Sequence, residues 1–303
     1  MTLLAPRGAF LPVSPMKAVL PSRWLKLSAG ASLGAWAVGR RPSAGVYALA
    51  AVSVELIIVV GVLVVLGGML QSAVGFGFSV VTVPVMVLAG VDLPAAVAIA
   101  LAATMGQVAW ACWRNHAAMH WPSYWPMFFI RVSTMPLGVL ALAWLTAAGQ
   151  GLIKQVLGGI LLTVLAAHWL LRVQPRQQVA PAWGVLAGTT SGFLGGLVGM
   201  GGPPLVLWVM AHDWPSRQAR VFLWYSFLPM LPLALAMLCW KFGQPVVHAT
   251  ALGLMLMPLA VVGTVLGLLM GARMSRRRLR AATLALLVVV ALVAVLEPML
   301  LGP

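Results

Sequence analysis

The residues of this chain best placed to do chemistry are glycines, and they occur twice in one pattern. Gly68, Gly75 and Gly77 in GGMLQSAVGFGFSVVTVPVMVLAG have the same spacing as Gly192, Gly199 and Gly201 in SGFLGGLVGMGGPPLVLWVMAHDWP. Both clusters interrupt apolar runs of membrane length and lead through a proline, Pro94 or Pro215, into a further apolar segment. Glycine accepts positive φ and lets a ligand approach the backbone closely. A helix that starts after such a cluster aims unpaired N–H groups and the positive end of its dipole at the gap, which suits an anion. Ser79 opens the first such helix. Gly202 opens the second, followed by Pro203 and Pro204, which fit a helical first turn. Gly75, Gly77 and Ser79 in one copy, and Gly199, Gly201 and Gly202 in the other, are therefore candidate substrate-binding residues. Close helix packing is the competing use of such glycines, and it is favoured for Gly192 and Gly196 and for Gly263, Gly267 and Gly271.

Few other side chains qualify. Thr104 and Gln107 follow the first cluster, and Tyr225 and Ser226 follow the second. Their polar groups either donate to an oxyanion or bond helix to helix. Arg131 lies well inside an apolar stretch and Arg220 just inside another; each either faces an anion in a cavity or snorkels to the interface. Acidic residues are scarce, with Asp and Glu totalling 4. Glu55 and Glu297 fall near the ends of apolar runs, while Asp92 and Asp213 precede Pro94 and Pro215 as expected helix caps. Cation carriers and proton relays use intramembrane carboxylates, so this distribution favours an anionic or neutral substrate. The histidines lack metal-ligand spacing, Cys112 and Cys239 lie far apart in apolar runs, and no phosphate-binding GxxxxGK[ST] motif occurs. No metal or cofactor is expected, and no enzyme chemistry.

These residues need a membrane scaffold. The chain of 303 residues is 62% hydrophobic and 8% charged, with a mean hydropathy of +1.03, too little charge to cover a water-soluble surface. Apolar stretches at 52–74, 94–112, 124–148, 151–172, 182–198, 218–240, 246–271 and 281–300 have the length that crosses a hydrocarbon core of about 30 Å. The shorter runs 79–90 and 202–212 reach only half of it. The expected fold is an all-α polytopic membrane protein with 8 full spans and 2 half-spans, built as two inverted repeats around glycine-interrupted helices. Its parts are a basic N-terminal extension over 1–45, poorly ordered or interfacial, and transmembrane repeats over 46–175 and 176–303.

The net charge of +15 comes mainly from arginines at the ends of apolar runs, as the positive-inside bias produces. Nothing in it calls for nucleic acid. Counting the half-spans as passes gives five per half, an odd number that turns the second half over and keeps Arg114, Arg172, Arg176, Arg217, Arg220 and the 273–280 run on one side. Trp121, Tyr124, Trp125 and Trp183 read as interfacial anchors.

The two glycine segments, extended to GGMLQSAVGFGFSVVTVPVMVLAGVDLPAAVAIALAAT and SGFLGGLVGMGGPPLVLWVMAHDWPSRQARVFLWYS, resemble the TauE/SafE family of sulfite exporter-like permeases, also grouped with toluenesulfonate uptake permeases. The likeness spans roughly residues 52–300. The first copy departs from the family's GxGG pattern by carrying Phe78 where the second has Gly202. The resemblance implies transport of sulfite, sulfonates or related organosulfur anions across the plasma membrane of a prokaryote. Paired broken helices in two related halves independently point to a secondary transporter working by alternating access. The expected partners are a small anion and the lipid bilayer, with assembly into a homo-oligomer left open. The competing readings are an integral-membrane assembly or structural component and a redox carrier without transport.

Overall fold

The computed structural model describes residues 54–74, 77–116, 119–170 and 179–273, with isolated helical positions between 285 and 296. The N-terminal extension, Gly75 and most of the final apolar stretch fall outside the described residues. Among them the architecture is all-helical. In chain order the elements are α1 (Val54–Val74), α2 (Phe78–Leu88), α3 (Leu93–Asn115), α4 (Trp121–Ala148), α5 (Gln150–Leu170), α6 (Pro181–Val198), α7 (Gly202–Met210), α8 (Ser216–Phe227), α9 (Met230–Phe242), α10 (Gln244–Met255) and α11 (Met257–Arg273).

Among the described residues five helical stretches are long and apolar enough to cross a membrane, and six if the bent α10–α11 pair forms one span. Eight were expected. The stretch 182–198 is helical as α6, but its glycines, threonines and serine dilute its apolar character. The stretch 281–300 is described only at scattered positions.

Prolines account for the breaks that periodicity missed. Within the expected span 218–240, α8 stops before a turn at Leu228 and Pro229. Pro229 and Pro232 have no N–H to return to the preceding turn. Pro258 acts in the same way at the α10–α11 junction, where the chain bends by 46°.

The middle of the bundle is α3. Its alanines Ala96, Ala98, Ala100, Ala102 and Ala103 are fully buried, and the short side chains let α2, α8, α9, α10 and α11 all pack against it. Two other interfaces are more extensive still, α4 against α6 and α1 against α11. Both depend on glycine. A Cβ on Gly138 would fall on the Phe193 carbonyl, and Cβ atoms on Gly192 and Gly196 would fall on the backbone carbonyls of Arg131 and Met135. Across the other interface, Gly68 lies on the Ala260 carbonyl, Gly263 on that of Val65 and Gly267 on that of Met69. The packing role expected for Gly192, Gly196, Gly263 and Gly267 is therefore met. Large apolar side chains such as Ile58, Val62, Trp144 and Leu268 point outward, where lipid rather than water is the fitting solvent.

Three local expectations are corrected. Asp92 stands at the N-cap position of α3 but makes no side-chain cap bond; its Oδ1 instead accepts from Gln150 Nε2 at 3.1 Å, turned aside toward α5. Asp213 does not cap α8, because Pro215 occupies that position. Tyr124 is buried rather than interfacial, held among Trp121, Trp125 and Phe128, while Trp121, Trp125 and Trp183 are exposed.

Candidate functional site

Both glycine clusters end one helix and start another in the opposite direction. Helix α1 stops at Val74 and α2 starts at Phe78, with Gly77 between them at φ 111°. The chain doubles back there, because a Cβ on Gly67 of α1 would meet the side chains of Thr82 and Phe78 in α2. Helix α6 stops at Val198, Gly199 takes φ 69°, and α7 starts at Gly202. It too returns, bringing Trp208 against Gly184 and Gly201 beside Ser191. The tips of the two hairpins meet: a Cβ on Gly199 would lie 3.8 Å from that of Ser79.

A cavity of about 70 Å³ opens between these tips. From the first half it is lined by Gln71, Gly77, Phe78, Ser79, Val80, Thr104 and Arg131, and from the second by Gly195, Gly199, Met200, Gly201 and Gly202. An apolar wall of Leu101, Val108, Met135, Phe227, Met230, Leu231 and Ala234 completes it. The first bond of α2 runs from Val81 N–H to the Gly77 carbonyl at 3.3 Å, so the N–H groups of Phe78, Ser79 and Val80 have no acceptor in their own helix. Helix α7 is a poorer donor. Of its first three residues only Gly202 carries an N–H, because Pro203 and Pro204 lack one. The Gly201 carbonyl, which would repel an anion, is tied down by the Ser191 hydroxyl.

Arg131 supplies the charge. It lies about 15 Å along α4 from the helix start and is only 2% exposed, so it reaches inward and does not snorkel. Its Nη1 donates to the Ser226 backbone carbonyl, an acceptor left over at the end of α8, and its guanidinium carbon sits 5.4 Å from the Phe227 ring centroid. Nη2 lies beside Gly201, and Nε has no partner. No carboxylate among the described residues forms a salt bridge with it. Arg220 is exposed and does not line the cavity.

The other expected residues divide. Thr104 lines the cavity but its hydroxyl donates to the Ala100 and Leu101 carbonyls of its own helix. Gln107 is set back from the cavity, donating to Gln71 Oε1 at 2.6 Å and accepting from the Thr264 hydroxyl, which joins α1, α3 and α11. Tyr225 donates to the Cys112 carbonyl at 3.3 Å and packs on Trp121, a link between α8 and α3. Ser226 contributes its carbonyl to Arg131, while its buried hydroxyl has no partner. Sequence reasoning passed over Gln71 and Ser191. Gln71 stands inside the first glycine motif, and with its Oε1 engaged its NH₂ remains for the cavity. Ser191 sits in α6 and gave no spacing signal.

Two helix tips, one guanidinium without a carboxylate partner among the described residues and an apolar wall thus surround one cavity inside the helical bundle. The chain matches the sulfite exporter TauE/SafE family over residues 59–294, a range that contains both hairpins and Arg131. It belongs to the TauE/SafE family. Membership makes this TauE/SafE protein a multi-pass membrane protein of a transporter family, and the family is not one of enzymes. Comparisons with curated proteins and with solved structures give no match.

Proposed function

We propose that the protein is a secondary transporter that moves sulfite, a sulfonate or a related organosulfur oxyanion across the plasma membrane of a prokaryote by alternating access. The observation that carries this reading is Arg131. A cation in the middle of a membrane costs about 2.5–3.5 kcal/mol even on the mildest scale, and this one has no carboxylate partner among the described residues and an unbonded Nε. An oxyanion seated between Arg131 and the first N–H groups of α2, which have no acceptor in their own helix, would satisfy both. Gly77, Ser79, Thr104, Arg131, Gly199, Gly201 and Gly202 surround that position, and the apolar wall accommodates the carbon substituent of a sulfonate.

The same contacts support a second half related to the first by inversion. Gly68 meets Ala260 as Gly192 meets Arg131, and Met69 meets Gly267 as Phe193 meets Gly138, with matching spacings along both pairs of helices. Because the chain reverses at each tip, the short helix counts as a pass of its own. Each half then has five, with the apolar stretch 281–300 taken from the sequence as the fifth of the second half, and the second is turned over. In such a carrier the extensive interfaces move as units, α1 with α11 and α4 with α6, opening the cavity to one side at a time.

The test is anion flux in proteoliposomes. Uptake or release of radiolabelled sulfite or methanesulfonate above the protein-free level, strongly lowered in Arg131→Gln, is expected. Absence of flux for sulfite, sulfonates and thiosulfate alike would remove the transporter reading.

A further inference from the structure

We propose that the cavity selects its guest by charge state, binding the singly charged form of a small oxyanion and rejecting the doubly charged form. The inference rests on the anion-transport reading above and adds a property that reading does not require.

Among the described residues, Arg131 is the only formally charged one lining the cavity. The helix tips add only fractional charge. The start of α2 contributes about half an elementary charge, whereas Pro203 and Pro204 leave α7 with a single N–H to offer. On the other side stand carbonyls: Ser226 at the end of α8 already holds Nη1, and the Gly201 carbonyl is occupied by Ser191. A bound monoanion and Arg131 together are neutral. A dianion leaves excess negative charge between two apolar hairpins, beside the negative end of α8.

The scaling of the two opposing terms decides the matter. The cost of stripping water from an ion rises with the square of its charge, while attraction to a fixed cation rises only in proportion. A second negative charge therefore quadruples the desolvation cost and merely doubles the gain. The low-dielectric wall of Leu101, Val108, Met135, Met230, Leu231 and Ala234 enlarges both terms together, and so widens the gap.

Among the described residues, no group that titrates near neutrality lines the cavity. The ionisable side chains around Arg131 are Tyr124 on α4, Cys112 on α3 and Tyr225 on α8; α2, α6, α7 and α9 bring none to the cavity. None of these three side chains lines the cavity. A fall in sulfite flux with rising pH that methanesulfonate does not share therefore belongs to the substrate.

The experiment uses the full chain in proteoliposomes with pH varied symmetrically on both sides and protein-free vesicles subtracted. Methanesulfonate, a monoanion throughout, should be carried at a rate that does not change with pH. Sulfite, whose second ionisation lies near neutrality, should be carried about tenfold more slowly for each pH unit above that ionisation, following its hydrogensulfite fraction. Sulfate should not be carried measurably. Sulfite flux that is flat or rises with pH, or sulfate flux comparable to that of methanesulfonate, overturns charge selection while leaving the transporter intact. Loss of all anion flux at every pH overturns the transport reading itself, and the inference with it. Arg131→Gln should lower methanesulfonate flux about tenfold or more at all pH values; if that variant fails to insert, the wild-type pH profiles still decide.

Discussion

Arg131 of α4 donates through Nη1 to the backbone carbonyl of Ser226, which fastens the charge that lines the cavity to the end of α8. The guanidinium thus has two tasks, capping a helix terminus and offering its remaining N–H groups to the cavity. Gln at this position keeps a donor for the carbonyl and removes the charge. A charge-assisted hydrogen bond is worth about 1.5–3 kcal/mol, so Arg131→Gln should weaken anion affinity by about 10–100-fold with folding largely kept. Arg131→Lys should fall between, since it preserves the charge but loses the planar fork. Competition flux assays measure this; equal affinity in Arg131→Gln would confine the residue to capping.

Gly77 and Gly201 should fail for different reasons. Gly77 has φ 111°, and a Cβ there would stand in open space with nothing within 4 Å. Gly77→Ala should cost about 1–2 kcal/mol of backbone strain, while Gly77→Leu should also fill the cavity and abolish flux without preventing membrane insertion. At Gly201 any Cβ would meet the Ser191 carbonyl at 2.6 Å, so even Ala displaces the tip of the second hairpin. Size-exclusion profiles paired with flux separate these outcomes. Normal flux in both leucine variants removes the glycines from the site.

Ser191 donates its hydroxyl to the Gly201 carbonyl beside the cavity. Ser191→Ala leaves that buried acceptor without a donor, a loss of about 1–3 kcal/mol, and returns a negative dipole to the cavity. Anion affinity should drop several-fold or more, with a smaller effect on the thermal midpoint. A variant that is less stable but binds anions as tightly as wild type would limit Ser191 to holding the hairpin.

Much of this arrangement was legible in the residues, and the exceptions have physical causes. The repeated glycine spacing located both helix breaks, because backbone that must turn within lipid leaves a compositional mark. The apolar runs gave α3, α4 and α5 to within a few residues. Pro258 bends the expected span 246–271, and Pro229 interrupts the helix within 218–240 while Arg217–Phe242 still counts as one span, since hydropathy averages over a proline that removes a hydrogen-bond donor. The side chains of Gln107 and Tyr225 have partners far away in sequence, Gln71 and Thr264 for one and Cys112 for the other. No local pattern reveals such pairings. Arg131 was visible as a charge in an apolar run, but whether it faced lipid or cavity depended on which side of α4 packs on α6.

That packing gives the last prediction. Gly138 lies on the Phe193 carbonyl at the α4–α6 interface, and Gly267 lies on the Met69 carbonyl at the α1–α11 interface. Neither lines the cavity. Adding a branched side chain at either place forces two helix backbones apart, and overpacking of this kind costs about 1–3 kcal/mol. Gly138→Val and Gly267→Val should therefore lower the thermal midpoint of the detergent-solubilised protein by similar amounts, because the two contacts are equivalent in the proposed repeats. The fraction that remains folded should bind anions with unchanged affinity. If one substitution is silent and the other destroys the fold, the two interfaces do not carry equal loads, and the proposed equivalence of the halves loses its main structural support.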